Sequence, residues 1–387
     1  MIDQVITDNK KPIKCWATNV DSKTLEQAAN LANLPFTFKH VALMPDAHVG
    51  YGMPIGGVLA TQGVVIPNAV GIDIGCGMCA VKTSLKEISH NALVNIIERI
   101  KKVVPVGFTH QAEMQDIELM PKLTDNLKIV NEEFTAARSQ LGTLGGGNHF
   151  IEIQADTENN IWIMLHSGSR NLGKKVADYY NKIAEKLNEQ YYSEVTKDKQ
   201  LAFLPIETQE AKNYLDEMNY CVDFAYANRS LMIKRIKECF AEEIPSVTFD
   251  KVINIAHNYA RFENHFNHNV LVHRKGATYA GKGQIGIIPG SQGTKSYIVE
   301  GLGNSESFMS CSHGSGRRLG RREAIKSLNL EDEINFMKRQ NIINSIQSEK
   351  DLDEAPSAYK DITTVINNER DLVKPIVELH PLAVIKG

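Results

Sequence analysis

Very little in this chain marks a membrane, secreted or polyanion-coating protein. None of its apolar runs approaches the roughly 20 residues that a membrane-spanning helix requires. The opening Met1-Ile2-Asp3-Gln4 lacks the charged-then-apolar pattern of a signal peptide. Net charge is only −3, so no global field draws in nucleic acid and any polyanion site must be local. The six cysteines, Cys15, Cys76, Cys79, Cys221, Cys239 and Cys311, are sparse and irregularly spaced, which argues against a secreted disulfide framework. Cys76-Gly77-Met78-Cys79 has CxxC spacing, but it follows a glycine turn and leads into the strand-like Ala80-Val81-Lys82-Thr83. A redox motif would open a helix instead, and no second CxxC completes a four-cysteine zinc site. There is no repeat, low-complexity tract or linker. These absences leave a cytoplasmic enzyme as the simplest class.

At 387 residues the chain can bury a large core. Residues 41–83 are short apolar runs broken by glycine, proline and asparagine, the pattern of strands and loops. Leu93, Ile96, Ile97 and Ile100 mark one face of an amphipathic helix. Strand-like runs return at 149–154, 161–166, 251–257, 269–273, 285–288 and 296–300. Between them, residues 171–242 are polar with Tyr214, Met218, Cys221, Val222 and Ala225 at helical spacing, which predicts a helical insertion. Further helices are expected over 317–329 and 331–347, and a terminal strand at Leu382-Ala383-Val384-Ile385. The expected class is mixed α/β, a central mixed β core with peripheral helices. Candidate ligands come from residues 73 to 257, across every sheet segment, so a single domain over 1–387 is expected.

The chemistry concentrates in glycine-rich turns. Gly71-Ile72-Asp73-Ile74-Gly75-Cys76-Gly77 places a carboxylate and a thiol three residues apart. A thiolate can bridge two cations and a carboxylate adds a hard ligand. Alone, this DxxC reads more readily as a buried cysteine beside a turn aspartate. Three histidines shift that balance toward a divalent metal centre: His149, His166 and His257 each end an apolar run beside glycine, serine or asparagine. Asp46, in Met44-Pro45-Asp46-Ala47-His48, reads alone as an Asx turn, although such a carboxylate can also hold an imidazole. Ser310-Cys311-Ser312-His313-Gly314-Ser315-Gly316-Arg317 sets an imidazole beside Arg317, Arg318, Arg321 and Arg322, which are expected on one helix. His313 could be base, ligand or nucleophile, and arginines and helix-start amides bind phosphate. The alternative is a solvated basic face. Gly281-Lys282-Gly283-Gln284-Ile285-Gly286 matches GxGxxG but leads into no helix, so it fails as a dinucleotide fingerprint. Arg274-Lys275-Gly276 and Pro289-Gly290-Ser291-Gln292-Gly293-Thr294 read better as loops cradling a nucleotide.

Laid end to end, these stretches resemble the RtcB family of RNA ligases. The resemblance rests on PDAHVGYGMPIGG, GIDIGCGM, GGGNHFIEI, HSGSR, AHNYA, HRKGAT, SCSHGSGR, DEAPSAYKDI and the terminal Val384-Ile385-Lys386-Gly387. It implies a family-specific mixed fold and a site with two Mn²⁺ ions. By motif position Asp73, Cys76, His149, His166 and His257 would be the ligands, with Cys76 the bridge. His313 would take GMP from GTP, oriented by Asp46. Asn148, Glu152, Ser291 and Lys386 would contact the guanine nucleotide, with Pro289, Gly290, Gly314, Ser315 and Gly316 in the turns around it. Lys275 and Tyr359 would be site residues, and Arg170 and Arg317 would lie against RNA or phosphate oxygens. The implied partners are GTP and RNA ends, 3′-phosphate or 2′,3′-cyclic phosphate with 5′-hydroxyl. A monomer, aided in some members by an accessory activating protein, is implied. Two positions depart from the family pattern: Gln292 stands where methionine is expected and Ser315 where alanine is expected. The chain is also short for the family, which implies trimmed surface loops.

Overall fold

The computed structural model describes every residue except Asp125 and Thr196. Two large sheets carry most of its strands. The six-stranded sheet runs, in spatial order, Gln4–Ile6, Ile13–Cys15, Thr37–His48, Ile55–Thr61, His268–Lys275 and Asn258–His265. Its mixed character comes from a parallel pair, Ile13–Cys15 against Thr37–His48. The seven-stranded sheet is antiparallel and runs Ile253–Ala256, Gly77–Lys82, Ile161–Ser167, Phe150–Asp156, Val373–Lys386, Ser296–Gly301 and Ile285–Ile288. The expected mixed α/β class holds.

The strand order of the second sheet explains why distant motifs meet. Ala256 pairs with Gly77, Gly77 with Ser167, and His166 with Phe150. His257, Cys76, His166 and His149 therefore fall at one end of four neighbouring strands. Lys386 lies opposite Phe150 on the next strand along. His257 is also the residue at which the chain passes from this sheet to the other, between Ile253–Ala256 and Asn258–His265.

The helices cover these sheets with their apolar faces. Leu93, Ile96, Ile97 and Ile100 are the buried face of His90–Val103, whose start is capped by Ser89. The expected insertion over 171–242 is a pair of helices, Arg170–Gln190 and Gln209–Glu243, packed together through Tyr180 and Tyr214, with ring centroids 5.3 Å apart. The stretch joining them is not wholly helical, since Leu204–Pro205 forms a ribbon with Val64–Val65. The longer helix presses on the Asp73–Cys76 turn: a side-chain carbon at Gly75 would sit 2.8 Å from Val222 Cα.

The C-terminal expectations need correction. The helices there are Arg321–Ser327 and Leu330–Arg339, both shorter than expected. Arg317 and Arg318 precede the first helix, because Arg317 instead bridges to Tyr359 and the helix begins after Gly320. The second helix ends at Arg339, beyond which Asn341 is left-handed and Ile343 joins the terminal strand through Leu382 and Val384. That strand is Val373–Lys386, far longer than 382–385. Its two prolines hide it from the sequence, yet the register shifts beside Pro375 and Pro381 accommodate their missing donors. Lys275 and Arg274 close the strand His268–Lys275 and are not in a loop. No helix of the described residues is long and apolar enough to cross a membrane.

Candidate active site

A cleft of about 610 Å³ is lined from both sheets and from the turn at 313–317. At its floor lie two overlapping groups of metal-capable side chains, Asp73–Cys76–His149 and Cys76–His166–His257, which share Cys76. Cys76 Sγ is 3.5 Å from His149 Nε2 and 3.2 Å from His166 Nε2. His149 Nε2 is 3.1 Å from Asp73 Oδ2, and His166 Nε2 is 3.3 Å from His257 Nε2.

Backbone carbonyls set the histidine tautomers. His149 Nδ1 donates to Leu144 O at 2.9 Å and His166 Nδ1 to Asn148 O at 3.1 Å. A carbonyl only accepts, so each Nδ1 carries the proton and each Nε2 offers a lone pair to the cluster. Burial holds His166 and His257 well below the ordinary histidine range, which keeps them in the neutral, ligating form. Burial, together with the Asp73 charge, pushes the Cys76 thiol well up. Nitrogens, a thiol and a carboxylate aimed at one another gain little from mutual contact and much from cations between them, so this donor set fits two divalent ions. Asp73 is seated closely: a side-chain carbon at Gly168 would meet its Oδ1 at 2.2 Å, which only glycine avoids.

His313 stands beside this cluster, its ring against that of His257 with centroids 4.7 Å apart. Its Nδ1 donates to Asp46 Oδ2 at 2.6 Å, and its backbone N–H donates to the same oxygen at 3.1 Å. Nε2 is therefore the nitrogen left with a lone pair. Asp46 is fully buried in Thr37–His48, where the register with Ile55–Thr61 shifts between Leu43 and His48 and turns the side chain toward His313. The turn closes on it tightly: Gly316 has φ +72° and a side-chain carbon there would lie 2.2 Å from Asp46 O. Asp46 is thus no solvent-facing Asx turn.

At the other end of the cleft stand the residues expected around a nucleotide. Glu152 is buried, and burial raises its carboxyl to about 8 against the opposing contacts of Gln154 and Lys386. Lys275 lies instead beside the metal-capable cluster, opposite Asn258 in the strand pairing and against Gly71; burial lowers it to about 7, and its Nζ donates to Asn68 O at 3.0 Å and to Tyr51 O at 2.5 Å. Asn148, Pro289, Gly290, Ser291, Gly314 and Ser315 line the wall between these two ends. Ser291 is fixed by Thr294, whose hydroxyl accepts its N–H at 2.7 Å.

Glu354, within the DEAPSAYKDI stretch, is the organiser that sequence reasoning missed. Arg317 donates to it at 3.0 Å, Arg321 at 2.9 Å and Lys386 at 3.4 Å, and Tyr359 contributes a short hydroxyl bond. Burial raises this carboxyl, but Lys386 and the two arginines outweigh it and hold it below the usual range. Gln292 donates to the Glu354 carbonyl at 2.7 Å. The available signals, the acidic pair of DEAP and the arginine-rich turn, stand far apart in sequence, with Arg317 37 residues from Glu354. Arg170, by contrast, lies behind the His149 loop, where it donates to Thr143 Oγ1 and Gly107 O, both at 3.0 Å. All six cysteines are buried and free, in keeping with the absence of a redox motif.

Known proteins share this arrangement of motifs. A family model described as tRNA-splicing ligase RtcB matches residues 27–127 and 113–387. The RNA-splicing ligase RtcB of Escherichia coli strain K12 is 37% identical over 99% of this chain and 99% of its own length. The tRNA-splicing ligase RtcB of Nanoarchaeum equitans is 34% identical over 97% of this chain and 95% of its own. The RNA-splicing ligase RtcB homolog 1 of Entamoeba dispar is 32% identical over 94% of this chain and 82% of its own. Matches of this extent, on a mixed α/β fold whose strand ends gather a histidine–cysteine–aspartate cluster, show that the chain belongs to the RtcB family of RNA-splicing ligases.

Proposed function

We propose that this protein is a GTP- and Mn²⁺-dependent ligase that joins RNA 3′-phosphate or 2′,3′-cyclic phosphate ends to 5′-hydroxyl ends, in tRNA splicing or RNA repair. The observation that carries the reading is the 2.6 Å bond between His313 Nδ1 and buried Asp46, made beside two cation-fitting groups that share Cys76. Asp73, Cys76 and His149 would hold one Mn²⁺, and Cys76, His166 and His257 the second. When bound, the ions would neutralise phosphate charge as it develops.

His313 supplies the nucleophile. With Nδ1 committed to Asp46, Nε2 attacks the α-phosphorus of GTP, forming the nitrogen–phosphorus bond as pyrophosphate leaves. Asp46 stabilises the imidazolium that results and keeps the ring oriented. The GMP passes to an RNA 3′-phosphate oxygen, and the 5′-hydroxyl of the second strand then displaces it. Glu152 suits guanine, since an ionised carboxylate accepts from both N1–H and the exocyclic amine. Asn148, Ser291, Lys386 and the turns Pro289-Gly290 and Gly314-Ser315-Gly316 would complete the nucleotide site, with Lys275 and Tyr359 beside them. Arg317 and Arg170 are placed on phosphate or RNA oxygens in this reading. The chain would work as a single-domain cytoplasmic monomer, with an accessory protein entering for repeated turnover.

The test is incubation with α-labelled GTP and Mn²⁺, followed by denaturing electrophoresis. Wild type should take up an acid-labile, alkali-stable label, and His313→Ala should take up none while keeping its metal. Equal labelling of the two would remove His313 from this role. No label on metal-loaded wild type would favour a metal-dependent phosphodiesterase instead.

A further inference from the structure

The long helix Gln209–Glu243 carries two adjacent polar residues, Asn228 and Arg229, that are fully buried. Arg229 Nη1 donates to Gly75 O at 2.8 Å and to Ser167 O at 2.9 Å, and its Nε donates to Asn254 Oδ1 at 2.7 Å. Gly75 immediately precedes Cys76, and Ser167 immediately follows His166. Asn228 holds the next layer. Its Oδ1 accepts from the N–H groups of Gly142 and Thr143 at 2.7 and 3.2 Å, and its Nδ2 donates to Gly168 O at 3.1 Å and Ser167 Oγ at 3.2 Å. Ser167 Oγ in turn donates to Leu144 O at 2.7 Å, the carbonyl that accepts from His149. Two consecutive side chains of one helix thus tie down the backbone around Cys76, His166 and His149.

Charge does not account for this placement. Every acceptor of Arg229 is a neutral oxygen, and no carboxylate among the described residues pairs with it. A buried cation without a counter-charge is costly. Two divalent ions held by one thiolate and one carboxylate stay net positive, so a nearby guanidinium opposes the ions while it favours the Cys76 thiolate that would hold them, and the two effects work against each other. What arginine offers here is a planar group that Nε anchors on Asn254 Oδ1 while Nη1 alone meets both carbonyls, an anchor that neither an ammonium nor an apolar chain supplies.

We propose that Arg229 is the positioning residue of the paired metal centre, its guanidinium bridging the carbonyls of Gly75 and Ser167 so that Cys76 and His166 converge, with Asn228 fixing the adjoining turns. The inference rests on the metal-centre reading above, and its test separates the two. Metal-stripped wild type, Arg229→Met and Arg229→Lys are titrated with Co²⁺, following the cobalt bands and the thiolate charge-transfer absorption, with thermal unfolding as a check on folding. Wild type should take up two equivalents and show the thiolate band. Arg229→Met should bind about 10- to 100-fold more weakly, the range typical of groups that support metal ligands. Arg229→Lys should also weaken binding, because it keeps the charge and loses the Nε anchor on Asn254. A folded Arg229→Met that binds Co²⁺ as tightly as wild type, or more tightly, overturns the proposal. Should that variant not fold, Arg229→Lys decides by the same titration: wild-type affinity and an unchanged thiolate band overturn it. Wild type that takes up no Co²⁺ overturns the metal reading and this inference with it.

Discussion

The two ends of the cleft solve the same problem, holding polar groups out of water, by opposite means. At the metal end the histidines are buried, and neutral oxygens fix two of them: Leu144 O holds His149 and Asn148 O holds His166. At the far end the groups are charged, and Arg317, Arg321 and Lys386 converge on the single carboxylate of Glu354. The metal end gains rigidity from a sheet edge, where four neighbouring strands each deliver one metal-capable side chain. The far end draws its members from a turn, a short helix and the chain's last strand, and the Glu354 ion network joins their charged ends. Precision at the first is a property of backbone pairing; at the second it depends on one side chain.

That contrast can be broken at its strongest point. Cys76 belongs to both metal groups, so Cys76→Ala leaves each with two ligands. The variant should lose most of its bound metal, and guanylylation should fall by at least about 100-fold, the upper end of what supporting groups alone cost. Full metal content by elemental analysis would rule out Cys76 as the bridge. The corresponding weak point at the other end is Glu354→Gln. Breaking a buried pair from one side typically costs roughly 3–5 kcal/mol, because the partner charges are left uncompensated. Partial exposure of Arg321 places the expected loss near the lower figure. Denaturant unfolding and a GTP titration should both show the damage, while metal content stays at the wild-type level. A loss of metal in this variant would mean that the two ends are not separable.

The contrast is sharpened by pH. Burial raises Glu152 to about 8 from an ordinary 4.5, so the folded protein binds that proton more tightly than the unfolded chain. Its contribution to stability is present below pH 4.5 and is lost as pH rises toward 8. Nucleotide-free Glu152→Gln should lack this decline, so its stability relative to wild type should improve between the two limits. A difference that stays constant across that window would show that burial does not govern Glu152. Guanine binding, which needs the ionised carboxylate, should release a proton in the same range. The smallest effect is expected from Gln292→Met. It removes one donor to Glu354 O at 2.7 Å but also a buried Oε1 that has no partner, so unfolding stability should move by no more than about 1 kcal/mol.

The sequence was more legible at the metal end, for the same physical reason. Glycine turns that carry Asp73, Cys76 and the histidines are short and local, and each can be recognised where it stands. The far end depends on separations that no local pattern reports: Lys386 lies 32 residues from Glu354, and Arg317 lies 37. Glu354 therefore passed as part of a quoted motif with no role. The sequence shows only the apolar end of the terminal strand, Leu382 to Ile385, since Pro375 and Pro381 interrupt the pattern before it, whereas register shifts beside both let the pairing continue. Arg317 and Arg318 were placed on a helix from their basic pattern, but the bridge from Arg317 to Tyr359 holds that segment extended.

The chain alone determined the mixed class, the family's motifs and the ligand-type residues, because these depend on residue identity and spacing within a few positions. Tertiary structure decided which nitrogen of each histidine faces the cluster and that Asp46 turns inward to His313. It also decided that Glu354 gathers four partners and that Arg229, an unremarked arginine on a long helix, braces the carbonyls beside two ligands. Each of these is a relation between groups far apart in sequence, fixed only when sheet register and helix packing bring them within a hydrogen bond of one another.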